Sequence, residues 1–151
     1  SPQHAFQFIQ GLEPLPLRME RHCENAIKVT DYLQAHDKVE RVIFPGQMEG
    51  VARERADKYL NGGYGGLAGI VLKGGDDAVR KFIDSLEMLY HVANIGDARS
   101  LAIHPGSTTH SQLDADELLQ AGVVPGYVRL SIGSEHVDDV IADIDQALAK
   151  A

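Results

Sequence analysis

Apolar residues recur at helical spacing through Leu12, Leu15, Met19, Cys23, Ala26, Ile27, Thr30 and Leu33. The stripe predicts a helix from about Gln10 to Ala35. Pro14 and Pro16 interrupt it, so a bend is expected there, with regular helix after Pro16, where a first-turn proline is tolerated. Cys23 falls in phase with the stripe and reads as core. Val39 to Phe44 reads as a strand ended by Pro45-Gly46, and Gly50 to Leu60 is weakly helical. The glycine-dense Asn61-Gly62-Gly63-Tyr64-Gly65-Gly66 leads into a strand from Leu67 to Lys73, closed by Gly74-Gly75. Asp76 stands where it could cap a helix carrying Val79, Phe82, Ile83, Leu86 and Leu89 in phase. Ser100 to Ile103 reads as a strand before Pro105-Gly106, and Asp114 to Gln120 as a short acidic helix ended by Gly122. Tyr127 to Ile132 alternates as a strand. A last helix carries Val137, Val140, Ile141, Ile144 and Leu148, with Glu135, Asp138 and Asp139 near its positive end. Strands that alternate have one covered face and one face free for another use. The order of elements fits an α+β fold: a largely antiparallel sheet of about four strands with helices on one face.

Composition narrows the function classes. The 151 residues suffice for one core. No apolar run approaches the roughly 20 residues of a membrane span, and no basic-then-apolar signal segment opens the chain. It opens at Ser1-Pro2 rather than at methionine, which suggests a piece of a longer polypeptide. A formal charge of −8, with scattered arginines and lysines, excludes nucleic acid as a partner. The single cysteine, Cys23, cannot form an intrachain disulfide, and a reducing, cytoplasmic setting is expected.

The candidate chemistry gathers near the last strand. Val128, Leu130 and Ile132 point one way; Tyr127, Arg129 and Ser131 point the other. Arg129 then lies mid-strand on the face away from the helices. A guanidinium there needs a partner, and its planar fork suits a carboxylate held by two hydrogen bonds. That carboxylate belongs either to a substrate or to an acidic side chain of the same protein. Leu101 and Ile103 share one face of their strand; Ser100 and Ala102 share the other, which is expected to be the face of Arg129. Ser100 is therefore either a second carboxylate ligand or a strand-edge hydrogen-bonding group. The glycine-rich stretch lacks the lysine and following helix of a phosphate loop. His104 and His110 have no acidic or thiol group at metal-ligand spacing, so His104 to His110 reads as a turn held by side-chain hydrogen bonds, with no metal. Arg18, Glu20, Arg21 and Glu24 read as a solvated face.

Three segments carry a family resemblance: Leu17-Arg18-Met19-Glu20-Arg21-His22-Cys23-Glu24-Asn25-Ala26; Ser100-Leu101-Ala102-Ile103-His104-Pro105 with Ser107-Thr108-Thr109-His110; and Tyr127-Val128-Arg129-Leu130-Ser131-Ile132-Gly133 with Glu135. In this order, over nearly the whole chain, they resemble the Cys/Met-metabolism enzymes that depend on pyridoxal phosphate. Gly106 and Ser134 depart from the usual pattern.

The resemblance implies a linking helical region over residues 1–36 and a C-terminal α+β domain over 37–151 of a fold-type-I enzyme. It also implies a larger N-terminal domain, outside these residues, that binds pyridoxal phosphate through a lysine. Lys28, Lys38, Lys58, Lys73, Lys81 and Lys150 all lack that lysine's sequence setting, so no catalytic or cofactor-binding residue is expected here. Arg129 matches the arginine that binds the substrate α-carboxylate, and Ser100 and Leu101 match the segment against that carboxylate. Ile103 to Leu113 and Glu135-His136-Val137-Asp138-Asp139 lean toward the sulfhydrylase branch, which converts O-acetylhomoserine and sulfide to homocysteine and acetate. The γ-synthase and γ-lyase branches are the alternatives, and a stand-alone amino-acid-binding regulatory module is the alternative of another class. The implied partners are an amino-acid substrate, the protein's own N-terminal domain and, in the complete enzyme, three further copies in a homotetramer.

Overall fold

The computed structural model describes residues 1–151. The proline-rich bend separates two helices, α1 (Pro2–Leu12) and α2 (Leu15–Gln34). Ser1 caps α1 by accepting the His4 N–H, and Pro16 sits in the first turn of α2, where its missing N–H is not needed. The buried face of α2 only partly coincides with the predicted stripe, sharing Ala26, Thr30 and Leu33 with it. It consists of His22, Asn25, Ala26, Val29, Thr30 and Leu33, while Leu12 and Ile27 are exposed and Met19 and Cys23 only partly covered. Cys23 is therefore not a core residue. Periodicity failed here because polar side chains occupy the contact face: His22 and Asn25 hydrogen-bond the loop beyond the last strand, and Thr30 Oγ1 donates to the Ala26 carbonyl.

The remaining elements are β1 (Val39–Ile43), α3 (Gly50–Tyr59), β2 (Leu67–Leu72), α4 (Gly75–Ser85), β3 (Leu101–Ile103), α5 (Ala115–Gln120), β4 (Tyr127–Ser131) and α6 (Val137–Leu148), with single 3-10 turns at Pro45–Gln47 and Pro105–Ser107. The four strands form one sheet in the order β1-β2-β4-β3, antiparallel throughout. Helices α2, α4 and α6 pack on one face, where Ile70, Leu72, Val128 and Leu130 meet Val29, Phe82, Ile144 and Leu148. The fold is the expected α+β layer. No helix is long and apolar enough to cross a membrane.

The central strand β2 departs from simple alternation, being buried at every position from Ala68 to Leu72. Its second face is covered by β4 side chains: a Cβ added at Gly69 would lie 2.6 Å from Tyr127 Cε2, so the tyrosine ring occupies the space of the missing side chain. Asp76 does not cap α4. Gly74, in the left-handed conformation, takes that position. Asp76 instead accepts the Gly126 N–H at 2.8 Å and stands 3.4 Å from His104 Nε2, joining α4 to the turn before β4. The His104 turn is held by side chains: His104 Nδ1 and Ser107 Oγ are 2.9 Å apart, and Thr108 Oγ1 donates to the His104 carbonyl. Leu86 and Leu89 lie past the end of α4. The chain there is fixed by Asp143 of α6, whose carboxylate accepts the N–H groups of Glu87, Met88 and Leu89, each at 2.9 Å.

Candidate functional site

Arg129 stands in the middle of β4, opposite Gly69 on one side and Ile103 on the other. Antiparallel partners share a face, so the register puts Leu101 and Ile103 beside Ser131 and Arg129, and Ala102 beside Leu130 in the helix-covered core. Ser100 therefore continues onto the helix side, contrary to the expected placement. Alternation tells which residues share a face of a strand; only pairing tells which face that is.

The Arg129 guanidinium has no acidic partner. The arginines that form ion pairs in this chain are Arg21, Arg53 and Arg80, so the alternative of an intrachain salt bridge is not realised. Arg129 Nη2 donates to the Asn94 carbonyl at 3.2 Å, and Ser131 Oγ donates to the same oxygen at 3.0 Å. Arg129 Nε is buried without a hydrogen-bond partner. A buried donor left unmatched is costly, and here it belongs to a fork built for an oxyanion. A cavity of about 190 Å³ adjoins the guanidinium, with Ile103, Tyr127 and His110 among its walls. Burial pushes the Tyr127 phenol above its ordinary range, while the Arg129 charge pulls the other way. The phenol therefore stays protonated at neutral pH, a donor rather than a second anion.

Asn94 was not indicated by the sequence pattern, because it belongs to an irregular segment with no periodicity to read. Its Oδ1 accepts the Ile95 N–H, and its Nδ2 donates to Asp97. Asp97 in turn accepts the Arg99 N–H. These bonds, the Arg99 N–H foremost, hold the Asp97 carboxyl below its usual range. The segment Asn94–Arg99 is thus a closed polar turn that presents its first carbonyl to Arg129.

Ser100 serves this site indirectly. It is fully buried; its N–H and hydroxyl donate to the Glu135 carboxylate at 2.6 and 2.9 Å, and its Oγ accepts the Gly133 N–H at 2.8 Å. Asn25 Nδ2 donates to the Gly133 and Glu135 carbonyls at 3.0 and 2.9 Å, and His22 Nδ1 to the Ile132 carbonyl at 2.5 Å. The end of β4 is therefore clamped between α2 and the start of β3, which fixes the height of Arg129. Leu101 is 2% exposed and pairs with Ser131 of β4. Gly133 is required by contact: an added Cβ would lie 2.4 Å from the Ala98 carbonyl oxygen and 2.5 Å from Arg99 C. Gly133→Ala is expected to destabilise the protein by about 1–3 kcal/mol, the usual effect of overpacking, measurable as a lowered midpoint in chemical denaturation.

The fold recurs in known proteins. Residues 1–149 match the family described as Cys/Met metabolism PLP-dependent enzyme. The chain belongs to that family. It is 52% identical over 149 residues to O-acetyl-L-homoserine sulfhydrylase of Leptospira meyeri, a match covering 98% of this chain and 34% of the relative. A crystal structure described as a putative O-acetylhomoserine (thiol)-lyase from Campylobacter jejuni, containing pyridoxyl-lysine phosphate, superposes with a TM-score of 0.92 at 39% identity, covering 99% of this chain and 35% of that one. Cystathionine gamma synthase of Xanthomonas oryzae pv. oryzae, in complex with aminoacrylate and cysteine, superposes with a TM-score of 0.88 at 34% identity, covering 99% and 38%. The chain thus spans about a third of the length of these relatives.

The family depends on pyridoxal phosphate, but the residues in this chain do not fit an anchored cofactor. Lys28, Lys38, Lys58, Lys73, Lys81 and Lys150 are all exposed on the surface. None of them lines a cavity. An amine that reacts at neutral pH needs a desolvated site to lose its proton. What the chain does offer is the Arg129 guanidinium, held by the Asn94 carbonyl, without an acidic partner and next to a cavity.

Proposed function

We propose that residues 1–151 form the C-terminal, substrate-carboxylate-binding part of an O-acetylhomoserine sulfhydrylase, which makes homocysteine and acetate from O-acetylhomoserine and sulfide in methionine biosynthesis. The observation that carries this reading is Arg129: a guanidinium with a buried, unmatched Nε, no acidic partner, and a cavity beside it. Its fork receives the amino-acid carboxylate. The Asn94 carbonyl and Ser131 fix its orientation, while Ser100, just before Leu101 in the chain, holds the strand end that carries it. Arginine remains protonated, so its role is to bind and orient the substrate, not to move a proton. Among the superposed structures the O-acetylhomoserine (thiol)-lyase is 39% identical and the cystathionine gamma synthase 34%, which supports the sulfhydrylase branch. The complete polypeptide is cytoplasmic and assembles as a homotetramer in this reading. Phe6, Phe8, Ile9 and Leu12 on α1 are more than half exposed and supply apolar surface for further protein.

The test is the full-length enzyme, supplied with O-acetylhomoserine and either sulfide or cysteine. Homocysteine formed from sulfide in preference to cystathionine formed from cysteine is the expected result. The reverse preference would move the protein to the synthase branch. Residues 1–151 alone are expected to show no turnover and no borohydride-trapped cofactor. Calorimetric binding of a free amino acid by that isolated segment would favour the regulatory-module reading instead.

A further inference from the structure

A second cavity, of about 200 Å³, lies behind the Asn94–Asp97 turn, between that turn and α2. Its walls are mainly apolar, with Met19, Leu67, Ile95 and Ile132 among them. Gly65 and Gly66 add no side chains to it. One polar group inside it is unmatched. His22 is 2% exposed, and its Nδ1 lies 2.5 Å from the Ile132 carbonyl. A carbonyl only accepts, so Nδ1 carries a proton, and in the neutral ring Nε2 presents a lone pair. That Nε2 is buried without a partner. The cavity thus asks for a small, uncharged, largely apolar molecule with one hydrogen-bond donor.

The cavity also borders the Arg129 site. Ser131 lines it, and Ser131 Oγ donates to the same Asn94 carbonyl that Arg129 Nη2 contacts. Ile95 and Asp97, from the same turn, line it as well. One turn of chain separates a molecule in this cavity from an amino acid held by Arg129.

We propose that this cavity admits the sulfur nucleophile, hydrogen sulfide or a small alkyl thiol, with its S–H donated to His22 Nε2. The inference rests on the sulfhydrylase reading and adds the place where the second substrate is held. A neutral thiol matches the cavity in size, in low polarity and in its single weak donor. His22 acts here as a binding residue for the nucleophile, separate from its hold on the Ile132 carbonyl.

His22→Asn separates the two roles, since an asparagine amide reaches the position of the imidazole Nδ1 and keeps the Ile132 hydrogen bond while removing Nε2. In the full-length enzyme it is expected to raise KM for sulfide about tenfold and to leave KM for O-acetylhomoserine within about twofold. A purely structural histidine would alter both constants together or neither. Crystals of the full-length enzyme soaked in ethanethiol are expected to show the thiol sulfur beside His22 Nε2. An unchanged sulfide KM in a His22→Asn enzyme that still makes homocysteine would overturn this inference alone. A full-length structure in which a side chain from elsewhere in the polypeptide fills the cavity and bonds Nε2 would also overturn it. A wild-type enzyme that makes no homocysteine would remove the sulfhydrylase reading and this inference together.

Discussion

Arg129→Ala in the full-length enzyme is expected to raise KM for O-acetylhomoserine roughly 10- to 150-fold, the range that follows from losing a charge-assisted hydrogen-bonded pair worth about 1.5–3 kcal/mol. The structure gives three reasons for a large effect. The guanidinium is held from behind by the Asn94 carbonyl, so its fork is oriented before substrate arrives. Its Nε is buried and has no partner within the chain, so that donor is not already committed to another protein group. No acidic side chain among residues 1–151 pairs with it. Arg129→Lys keeps the charge but loses the planar fork, and is expected to recover only part of the affinity. A fall in kcat accompanying the rise in KM would indicate that the interaction also orients the substrate for reaction. An unchanged KM in Arg129→Ala would remove this residue from the binding site.

The face on which Arg129 lies was legible because β4 alternates cleanly and one of its faces is continuously apolar. The same reasoning placed Ser100 on the wrong side. A three-residue strand carries too little alternation to say which face is covered, and the pairing of Leu101 with Ser131 decides it. Asn94 was invisible because an irregular turn has no period. In α2, the apolar stripe drew attention from the positions that matter: the motif residues His22 and Asn25 are buried polar groups, each hydrogen-bonded to a carbonyl more than a hundred positions away. Local patterns report burial of apolar surface; they do not report a polar residue whose partner comes from a distant loop. The cap of α4 shows the same limit. Asp76 has the right chemistry for a cap, but the turn before β4 uses its carboxylate, and the left-handed Gly74 starts the helix without it.

Asp143→Ala is expected to lower unfolding stability by about 3 kcal/mol, an effect as large as that of a core truncation although no apolar packing is removed. Asp143 is 7% exposed on α6, and periodicity marks it only as a position on the helix. Its two oxygens accept three successive N–H groups, Glu87, Met88 and Leu89, while Gln146 Nε2 donates to Oδ1 at 3.0 Å. Those N–H groups lie just after α4, where the chain turns toward the segment that carries Asn94. Without the carboxylate all three would lose their partner, the buried Leu89 N–H at the greatest cost, and the approach to the Arg129 site would loosen. Burial acts to raise the Asp143 pKa, but the backbone donors and Gln146 outweigh it, and the net shift is downward. A carboxyl whose folded pKa is depressed contributes stability above its unfolded value, near 4 for an ordinary aspartate. That contribution disappears as pH falls through the lower, folded value. Asp143→Asn keeps one acceptor oxygen and has no charge to lose. Its stability deficit against wild type is therefore expected to be full at neutral pH and to shrink as pH drops below about 4. Chemical denaturation of the two proteins across that range measures the gap directly; a gap that stays constant with pH would show that the carboxylate charge does not hold the turn.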